Sequence, residues 1–449
     1  MKTYKNDRIS RRDFIHTAAS AGVGLLLAGC GGGDAPEGKA SALTEDKKGA
    51  GGKGTVFFYH PDCLTHDTGR DHPEKAGRLT AILDQLRKDG LWDALTHVEP
   101  APASIESIER VHDRKYIDLA KREIEAGRRK LSTGDAIISK DSWNAALLAA
   151  GASIQAVDRV AEGRAANAFC AIRPPGHHAR PKKGGMGFCV FNNIAIAARH
   201  AQARHNMARV LIVDWDVHHG NGTQDTFWTD GTVMNFHTQQ KGIYPGTGHE
   251  NERGEGRGEG MIINVPLAAG AGNDVFTRVY REHLVPAARR FKPEMILLSA
   301  GYDSHKDDPL GDLALDEAGY AALTDILLEL ADELCKGRLV VCLEGGYNLQ
   351  ALGRSASATM RRMRAVAGSA AASQSLAPSD VPLCLARCPS CRPGGSGASL
   401  AAIIGMTPVI TGAPVRWFSE REEIARAAQP GSCVRKGGNR EVDREHQAC

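Results

Sequence analysis

The stretch Ala208-Arg-Val-Leu-Ile-Val-Asp-Trp-Asp-Val-His-His-Gly-Asn221 decides the fold that the sequence predicts. Its first half is apolar on both faces, which is typical of a strand buried inside a parallel sheet. Three more short apolar runs, at 168–172, 295–299 and 339–343, are likewise followed within two residues by Gly, Asp or Pro. Because helical patterns separate the runs, the sequence predicts an α/β fold with a central, mostly parallel sheet flanked by helices.

Polar motifs follow each of these four runs. In open parallel sheets, ligands bind beyond the carboxyl ends of the strands, so the motifs are expected to meet at one edge of the sheet. A β-prone run at 55–59 is the expected first strand. Apolar residues at helical spacing from Leu79 to Leu86, and an Ala- and Leu-rich stretch at 142–161, predict two of the helices.

The N-terminus has the features of an export signal. Ser10-Arg-Arg-Asp-Phe-Ile15 resembles the twin-arginine signal of bacteria, and an apolar run that is too short to span a bilayer follows it. That run ends in Leu27-Ala-Gly-Cys30, which resembles a lipoprotein box. We therefore expect residues 1–30 to be a twin-arginine, lipoprotein-type signal, Cys30 to be lipidated, and the protein to be periplasmic and membrane-anchored. The alternative is an ordinary N-terminal helix with a chance pair of arginines.

Composition divides the rest of the chain. Residues 31–54 predict a flexible tether, 55–367 a single globular domain, and 368–449 a linker and tail. Cys388-Pro-Ser-Cys391 in the tail is half of a zinc-ribbon pattern with no second pair, so a nonfunctional extension is the alternative. The chain has 56 basic and 53 acidic side chains, a balance that gives no reason to expect nucleic-acid binding.

The opening stretch also carries candidate metal ligands. Asp214, Asp216 and His218 alternate directly after the strand, so their side chains are expected to point the same way. Carboxylates and imidazoles bind zinc, and Asp303, which follows the run 295–299, is the expected third ligand beside Asp216 and His218. Three protein ligands leave a position open for water and substrate, as in catalytic zinc sites. The alternative is a solvated acidic turn at a strand end.

Two carboxylate ligands largely neutralise the cation, so its bound water is less acidified. Such a site therefore needs a protein base nearby. His177 and His178 follow the run 168–172 in a turn that Pro and Gly make rigid. Each imidazole needs a partner that orients its far ring nitrogen, and Asp214 and Asn221 are the available candidates. The alternative is a pair of structural or exposed histidines.

A fourth motif, Glu344-Gly-Gly-Tyr-Asn348, follows the run 339–343. Its two glycines let the backbone turn sharply and bring Tyr347 towards the cleft. A tyrosine hydroxyl that faces a metal can polarise a carbonyl and stabilise a developing oxyanion. The alternative is an ordinary Gly-Gly turn with a packed tyrosine.

Together the motifs resemble those of the histone deacetylase superfamily, in the class II-like group with acetylpolyamine amidohydrolases. The matching segments occur in family order across 55–367: RPPGHHA at 173–179, GFCVFNNIAIAA at 187–198, DWDVHHGNGTQ at 214–224, YPGTG at 244–248, SAGYDSH at 299–305, DPLG at 308–311 and EGGYN at 344–348. The resemblance implies one arginase/deacetylase-like domain with about eight strands. It also implies a zinc-dependent deacetylase that hydrolyses the acetyl amide of acetylated lysine, polyamine or related amines.

Residue roles follow from the same resemblance. It assigns one zinc ion (Zn²⁺) per chain to Asp216, His218 and Asp303. The other catalytic residues that it implies are the general base His178, its acid or electrostatic partner His177, their orienting residues Asn221 and Asp214, and the oxyanion-supporting Tyr347.

Two further sites are implied by the family. A loop with Asp135 matches one that contacts the substrate backbone. Tyr244 stands where the family often has Phe. The residues that would line the acyl tunnel are Gly187, Phe188, Tyr244, Leu310 and Gly346. A potassium ion (K⁺) would bind mainly through backbone groups, and the residues concerned are Asp214, Asp216, His218, His237 and Thr238.

Two other functions remain open on the sequence alone. One is an inactive protein that binds acetylated ligands. The other is an arginase-like hydrolase, which needs two metals and more carboxylates than these motifs supply. The expected partner is a small acetylated amine or an acetyl-lysine peptide, with the membrane reached only through the lipid anchor. An export signal disfavours histone, and leaves acetylated polyamines, acetylated peptides and cell-envelope amides as substrates.

Overall fold

A computed structural model describes residues 54–375. The strands of this part of the chain are β1 (Thr55–Phe58), β2 (Thr96–Val98), β3 (Asn167–Cys170), β4 (Val210–Asp214), β5 (Val233–Gln240), β6 (Ile262–Leu267), β7 (Met295–Ala300) and β8 (Leu339–Leu343). They form one sheet in the order β2-β1-β3-β8-β7-β4-β5-β6, and each neighbouring pair is parallel. The predicted α/β class and eight-stranded sheet are confirmed.

Helices connect the strands. Within the same residues they are α1 (Gly77–Lys88), α2 (Ile105–Glu109), α3 (Arg114–Glu125), α4 (Ser142–Ala161), α5 (Asn193–His205), α6 (Asn221–Phe227), α7 (Asn273–Val279), α8 (Val285–Phe291), α9 (Glu317–Cys335) and α10 (Leu349–Ser375). The helix predicted at 142–161 is α4, and the predicted apolar spacing from Leu79 to Leu86 lies within α1. A π-helical turn, Tyr280–Leu284, joins α7 to α8.

Burial of the four central strands explains why their sequences are predominantly apolar. Every residue of β3, β4, β7 and β8 is buried. Helices α4 and α5 pack against each other and against these strands, and α9 and α10 form a second such pair. A strand that is covered in this way has no solvent face, and so its sequence does not alternate between apolar and polar residues.

Strand order brings the four polar motifs to the same place. β3, β8, β7 and β4 are consecutive neighbours in the sheet, although they are far apart in the sequence. The register pairs Asp214 with Ser299, and Ser299 with Cys342, so the strands end at nearly the same level. The loops after all four strands therefore begin side by side.

Helix α10 extends into the first residues of the predicted linker. α10 continues to Ser375, so the backbone at 368–375 is helical where the sequence suggested a linker. The expected signal with Cys30, nearly all of the tether, and the Cys388–Cys391 motif lie outside the described residues and stay predictions. Between residues 54 and 375, the helices are all too short or too polar to cross a bilayer.

Close packing of backbone against helix fixes the position of α4. A Cβ atom at Gly151 would lie 2.0 Å from the carbonyl oxygen of Ala101 and 2.9 Å from the nitrogen of Ala103. The segment before α2 is also tied to α4 by hydrogen bonds from Ala103 N to Leu147 O, 2.8 Å, and from Gln155 Nε2 to Ala101 O, 2.9 Å. This segment cannot retreat without breaking those bonds.

We expect Gly151→Ala to lower the free energy of unfolding by up to about 2 kcal/mol. The better helix propensity of Ala is worth about 1 kcal/mol, but overpacking against a fixed backbone oxygen costs about 1–3 kcal/mol, and we expect the clash at 2.0 Å to dominate. Denaturant unfolding measures the difference. Gly77→Ala in α1 is the matched control, because its Cβ would meet only Leu349 Cδ1, at 3.5 Å. Equal stability of the two variants would contradict the argument.

Candidate active site

Two loops at the carboxyl ends of β4 and β7 place three acidic or imidazole groups around one point. His218 Nδ1 lies 3.1 Å from Asp216 Oδ1 and 3.3 Å from Asp303 Oδ2. Backbone groups hold the remaining carboxylate oxygens: Gly345 N donates to Asp216 Oδ2 at 2.8 Å, and Val217 N donates to Asp303 Oδ1 at 3.0 Å. The structure thus brings the three predicted metal ligands together and fixes both carboxylates from behind.

The group suits a cation. Its three ligand atoms lie within 4.8 Å of one another, and the buried Asp303 Oδ2 accepts no hydrogen bond. Burial and the neighbouring charge of Asp216 raise the pKa of Asp303 to about 7, and a bound cation would relieve that repulsion. Glycine is required beside it, because a Cβ at Gly345 would lie 2.0 Å from Asp303 Oδ2. One nitrogen and two oxygen donors match the ligands that zinc takes in catalytic sites.

The two predicted histidines lie beside this group, and both are buried. His177 Nδ1 is 3.0 Å from Asp214 Oδ2, and His178 Nδ1 is 2.8 Å from Asn221 Oδ1. The centroids of the two rings are 4.0 Å apart. Each imidazole therefore has the orienting partner that the sequence suggested, one an acid and the other an amide.

Different partners give the two rings opposite electrostatics. Burial lowers the pKa of His177, but the carboxylates of Asp216 and Asp214 outweigh burial and raise that pKa well above its ordinary value. Burial also lowers the pKa of His178, and positive charge on His177 and His218 lowers it further. Among the protein groups, the site therefore favours a protonated His177 and a neutral His178.

The turn that carries the histidines is held by a residue that the sequence analysis quoted only as part of a motif. Glu344 Oε2 accepts hydrogen bonds from Gly176 N at 2.7 Å and His177 N at 3.1 Å, and its Oε1 lies 3.1 Å from Ser299 Oγ. Burial raises the pKa of Glu344 to about 7. This carboxyl, which follows β8, therefore joins the turn after β3 to strand β7.

A narrow pocket reaches His178 and one member of the metal group, His218. Its volume is about 210 Å³, and the residues that line it are Asp135, His178, Gly187, Phe188, His218, Tyr244, Leu310 and Tyr347. Four of the five predicted tunnel residues are among them. Gly346, the fifth, is not; its backbone has a φ of 117°, and it turns the chain ahead of Tyr347.

Aromatic rings and one carboxylate shape the walls of the pocket. The ring of Phe188 stands at 84° to that of Tyr347, with centroids 6.0 Å apart, and the ring of Tyr244 stands perpendicular to His178 at 5.2 Å. Asp135 Oδ1 accepts from Gly187 N at 2.6 Å and lies 3.4 Å from the Tyr244 hydroxyl. Asp135 and Tyr244 therefore form a polar edge on an otherwise apolar entrance.

The backbone ahead of Tyr347 is fixed by Arg78, a residue whose role the sequence motifs do not predict. The buried Arg78 on α1 donates from Nε to Gly346 O at 2.7 Å and from Nη2 to Glu344 O. Its guanidinium lies 5.1 Å from the centre of the Tyr347 ring. On the other side, Asp308 Oδ2 accepts from Tyr347 N at 2.6 Å. The turn is thus held from both sides.

Arg78 is itself part of a buried ionic network. Glu74 Oε1 lies 3.1 Å from Arg78 Nη1, and the two Glu74 oxygens accept from Nε and Nη2 of Arg173, at 2.5 and 2.7 Å. These side chains are completely buried. The two arginines overcome the effect of burial and hold the pKa of Glu74 well below its ordinary value. The sequence shows an acidic residue, Glu74, in His72-Pro-Glu74, but nothing in the sequence shows which residues its carboxylate contacts.

The residues expected to bind potassium also cluster. Asp214 and His237 are register partners in β4 and β5, and Thr238 Oγ1 donates to Asp214 O at 3.4 Å. His237 Nδ1 lies 3.6 Å from Asp214 Oδ2, and neither ring nitrogen of this buried His237 makes a hydrogen bond. The side chain of His237 therefore faces the carboxylate that orients His177.

The parallel sheet, the Asp-His-Asp group and the paired histidines define the class of this protein: the chain belongs to the histone deacetylase family, whose domain model matches residues 72–363. It is 42% identical over 323 residues to "Histone deacetylase 14, chloroplastic" of Arabidopsis thaliana, which covers 68% of this chain and 76% of that protein. It is 38% identical over 315 residues to "Histone deacetylase-like amidohydrolase" of Pseudomonas aeruginosa, covering 66% and 82%. The solved HDA15 HD domain superposes with a TM-score of 0.66 at 33% identity, covering 72% of this chain and 93% of that one.

We expect Arg78→Lys to lower kcat roughly 10- to 100-fold, the range typical for loss of a residue that positions an active-site group without touching the substrate. Lysine keeps the charge beside Glu74 but cannot hold the carbonyls of both Gly346 and Glu344, so Tyr347 is less well fixed. Steady-state kinetics on an acetylated substrate measure the effect. Arg87→Lys, an exposed position on the same helix, is the control and should leave kcat unchanged. An unchanged kcat in Arg78→Lys would show that the turn does not depend on this arginine.

Proposed function

We propose that the protein is a zinc-dependent deacetylase that removes the acetyl group from an acetylated amine by hydrolysis of its amide. The observation that carries the proposal is that Asp216, His218 and Asp303 lie close enough to share one cation, beside two histidines of opposite electrostatics. His178 and His218 line one narrow pocket. Membership of a family that includes amidohydrolases and deacetylases supports hydrolysis of amides.

In this proposal Asp216, His218 and Asp303 hold the zinc ion. When bound, the ion supplies a Lewis acid that polarises the acetyl carbonyl and lowers the pKa of a water. The protein groups do the rest. The neutral His178, held by Asn221, accepts the proton of the attacking water at Nε2, because its Nδ1 faces the amide oxygen of Asn221.

His177 has the complementary role. Its Nδ1 faces Asp214, which leaves Nε2 on the side of Asp216, 3.8 Å from Oδ2. A protonated His177 stabilises the negative charge that develops on the carbonyl oxygen, and either His177 or the protonated His178 returns a proton to the leaving amine. Tyr347, which lines the pocket, donates a hydrogen bond from its hydroxyl to the developing oxyanion. Burial raises the pKa of Tyr347 well above its ordinary value, so the hydroxyl keeps its proton.

The pocket supports a substrate with a slender chain behind the acetyl group. Phe188 and Leu310 supply apolar walls, while Asp135 and Tyr244 offer polar groups at the edge. We propose acetyl-lysine peptides, acetylated polyamines or related amines as substrates. An acyl-substrate panel on the zinc-loaded protein separates these classes.

We propose that potassium binds near Asp214, Asp216 and His218 through their backbone, next to His237 and Thr238. We also propose export by the twin-arginine route, with Cys30 as a lipid anchor in the periplasm. Partial proteolysis and mass measurement of the membrane fraction test the anchor directly.

The two competing functions make different demands on the site. An inactive acetyl-ligand binder does not need two histidines with separate orienting partners. An arginase-like enzyme needs a second metal next to the first. Within residues 54–375, the side-chain groups that could hold a metal are the Asp216 group and a separate one at Asp158, which lies on helices rather than at the strand ends.

We expect Tyr347→Phe to lower kcat on an acetyl-lysine peptide roughly 10²- to 10³-fold, the usual effect of removing one oxyanion donor. Binding of the substrate should change little, because the ring stays in the pocket wall. Tyr59→Phe, which removes a hydroxyl outside the pocket, is the control. If the unmodified protein shows no turnover, or if Tyr347→Phe turns over at the same rate, the proposed deacetylase mechanism is wrong.

Zinc dependence has a separate test. We expect Asp303→Asn to weaken zinc binding by more than about 100-fold, since loss of an outer-shell partner alone costs 10- to 100-fold, and to abolish turnover. Metal analysis after equilibration with a chelator, followed by the acetyl-lysine assay, measures both. Asp84→Asn, an exposed carboxylate on α1, is the control. Turnover that survives in the Asp303→Asn protein would rule out this metal site.

A further inference from the structure

A second cluster of metal-binding side chains lies outside the active site, where two helices end. Asp158 is in the last turn of α4, His205 is the last residue of α5, and His200 lies on α5 as well. Asp158 Oδ1 is 2.7 Å from His200 Nε2 and 2.6 Å from His205 Nε2. One potential ligand atom from each residue lies within 4.8 Å of the other two. This cluster is part of neither the pocket nor the mechanism above.

The packing of the two helices holds these three groups in place. α4 and α5 pack against each other, and the side chains are 26% (Asp158), 11% (His200) and 13% (His205) exposed. The partial negative charge at the carboxyl end of each helix favours a cation there. A small opening to solvent also leaves room for water to complete the coordination.

A purely hydrogen-bonded cluster is the competing explanation. Arg110 Nη1 lies 3.4 Å from His200 Nδ1, and a donor at that nitrogen places the ring proton on Nε2, which then donates to Asp158. The distances of 2.6 and 2.7 Å are hydrogen-bond lengths. A tetrahedral zinc ion with bonds of about 2.0 Å needs ligand atoms about 3.3 Å apart. Zinc would therefore displace both Nε2 protons and widen the cluster by about 0.6 Å, which is within the reach of a rotation of the Asp158 carboxylate.

The arrangement itself favours a metal. Two imidazoles direct the same nitrogen, Nε2, at one carboxylate oxygen of Asp158. A single protonated imidazole would be enough to neutralise that carboxylate, so charge neutralisation does not account for the second ring. Arg110 is exposed, so its guanidinium can turn into solvent when His200 Nδ1 takes up the proton. We propose that Asp158, His200 and His205 form a second zinc site, which binds the ion with water as a further ligand and links the ends of α4 and α5.

Zinc titration of the metal-free full-length protein tests this proposal. We expect His205→Gln, and separately Asp158→Asn, to bind one equivalent of zinc less than the unmodified protein, with deacetylase turnover unchanged. His249→Gln is the matched control, because that histidine is 69% exposed and lies on a different loop. The C-terminal cysteines are present in every protein, so they contribute equally and cancel in the comparison. Equal zinc content in the His205→Gln and unmodified proteins would overturn the second site.

A measurement on the unmodified chain covers the case in which the variants do not fold. Histidine-directed acylation with diethyl pyrocarbonate, mapped by mass spectrometry, reports which imidazole nitrogens are free. Zinc should protect His200 and His205 and leave His249 reactive. Equal reactivity of His200 and His205 with and without zinc would also overturn the site. Both experiments read zinc binding at the helix ends, so a failed deacetylase assay leaves their result intact.

Discussion

Repulsion between two buried carboxylates is the constraint on which the rest of the site depends. Asp216 and Asp303 lie on the loops after neighbouring strands, and both are buried, so burial and the charge of Asp216 together raise the pKa of Asp303 to about 7. Backbone N–H groups from Val217 and Gly345 satisfy one oxygen of each carboxylate. The other oxygen of Asp303 accepts no hydrogen bond. A fold that maintains this arrangement sacrifices stability to keep a cation-binding geometry ready.

Parallel strands in register supply the rigidity that this geometry needs. The carboxyl ends of β4, β7 and β8 lie level, so short loops suffice to bring ligands from two strands and the tyrosine turn from the third to one point. Contacts from outside the sheet then fix the loops. Arg78 reaches from α1 to the turn after β8, and Glu344 reaches from β8 to the turn after β3. Each loop is therefore held by a residue from another element.

Much of the sheet and of the site could be predicted from the sequence, because their signals are local. Buried strands appear as apolar runs, and the ligands and histidines follow those runs directly. The supporting contacts were not predictable in the same way. Arg173 meets Glu74 across 99 residues, and Arg78 meets Gly346 across 268, so one sequence shows the charged residues but not their pairing. The helical backbone at 368–375 was missed because Ala and Ser are common both in linkers and in helices.

The two adjacent histidines show how small differences in partner separate chemical roles. Both rings are buried, both follow the same turn, and both have their Nδ1 atoms occupied. His177 faces the carboxylate of Asp214, while His178 faces the amide of Asn221. A carboxylate stabilises a proton on its imidazole, whereas an amide only selects the tautomer, so one ring can store a proton while the other stays free to accept one. His237 in β5 approaches the same Asp214 carboxylate, with its Nδ1 3.6 Å from Asp214 Oδ2. The carboxylate that distinguishes the two rings is therefore flanked by β5, a strand that contributes no residue to the pocket wall.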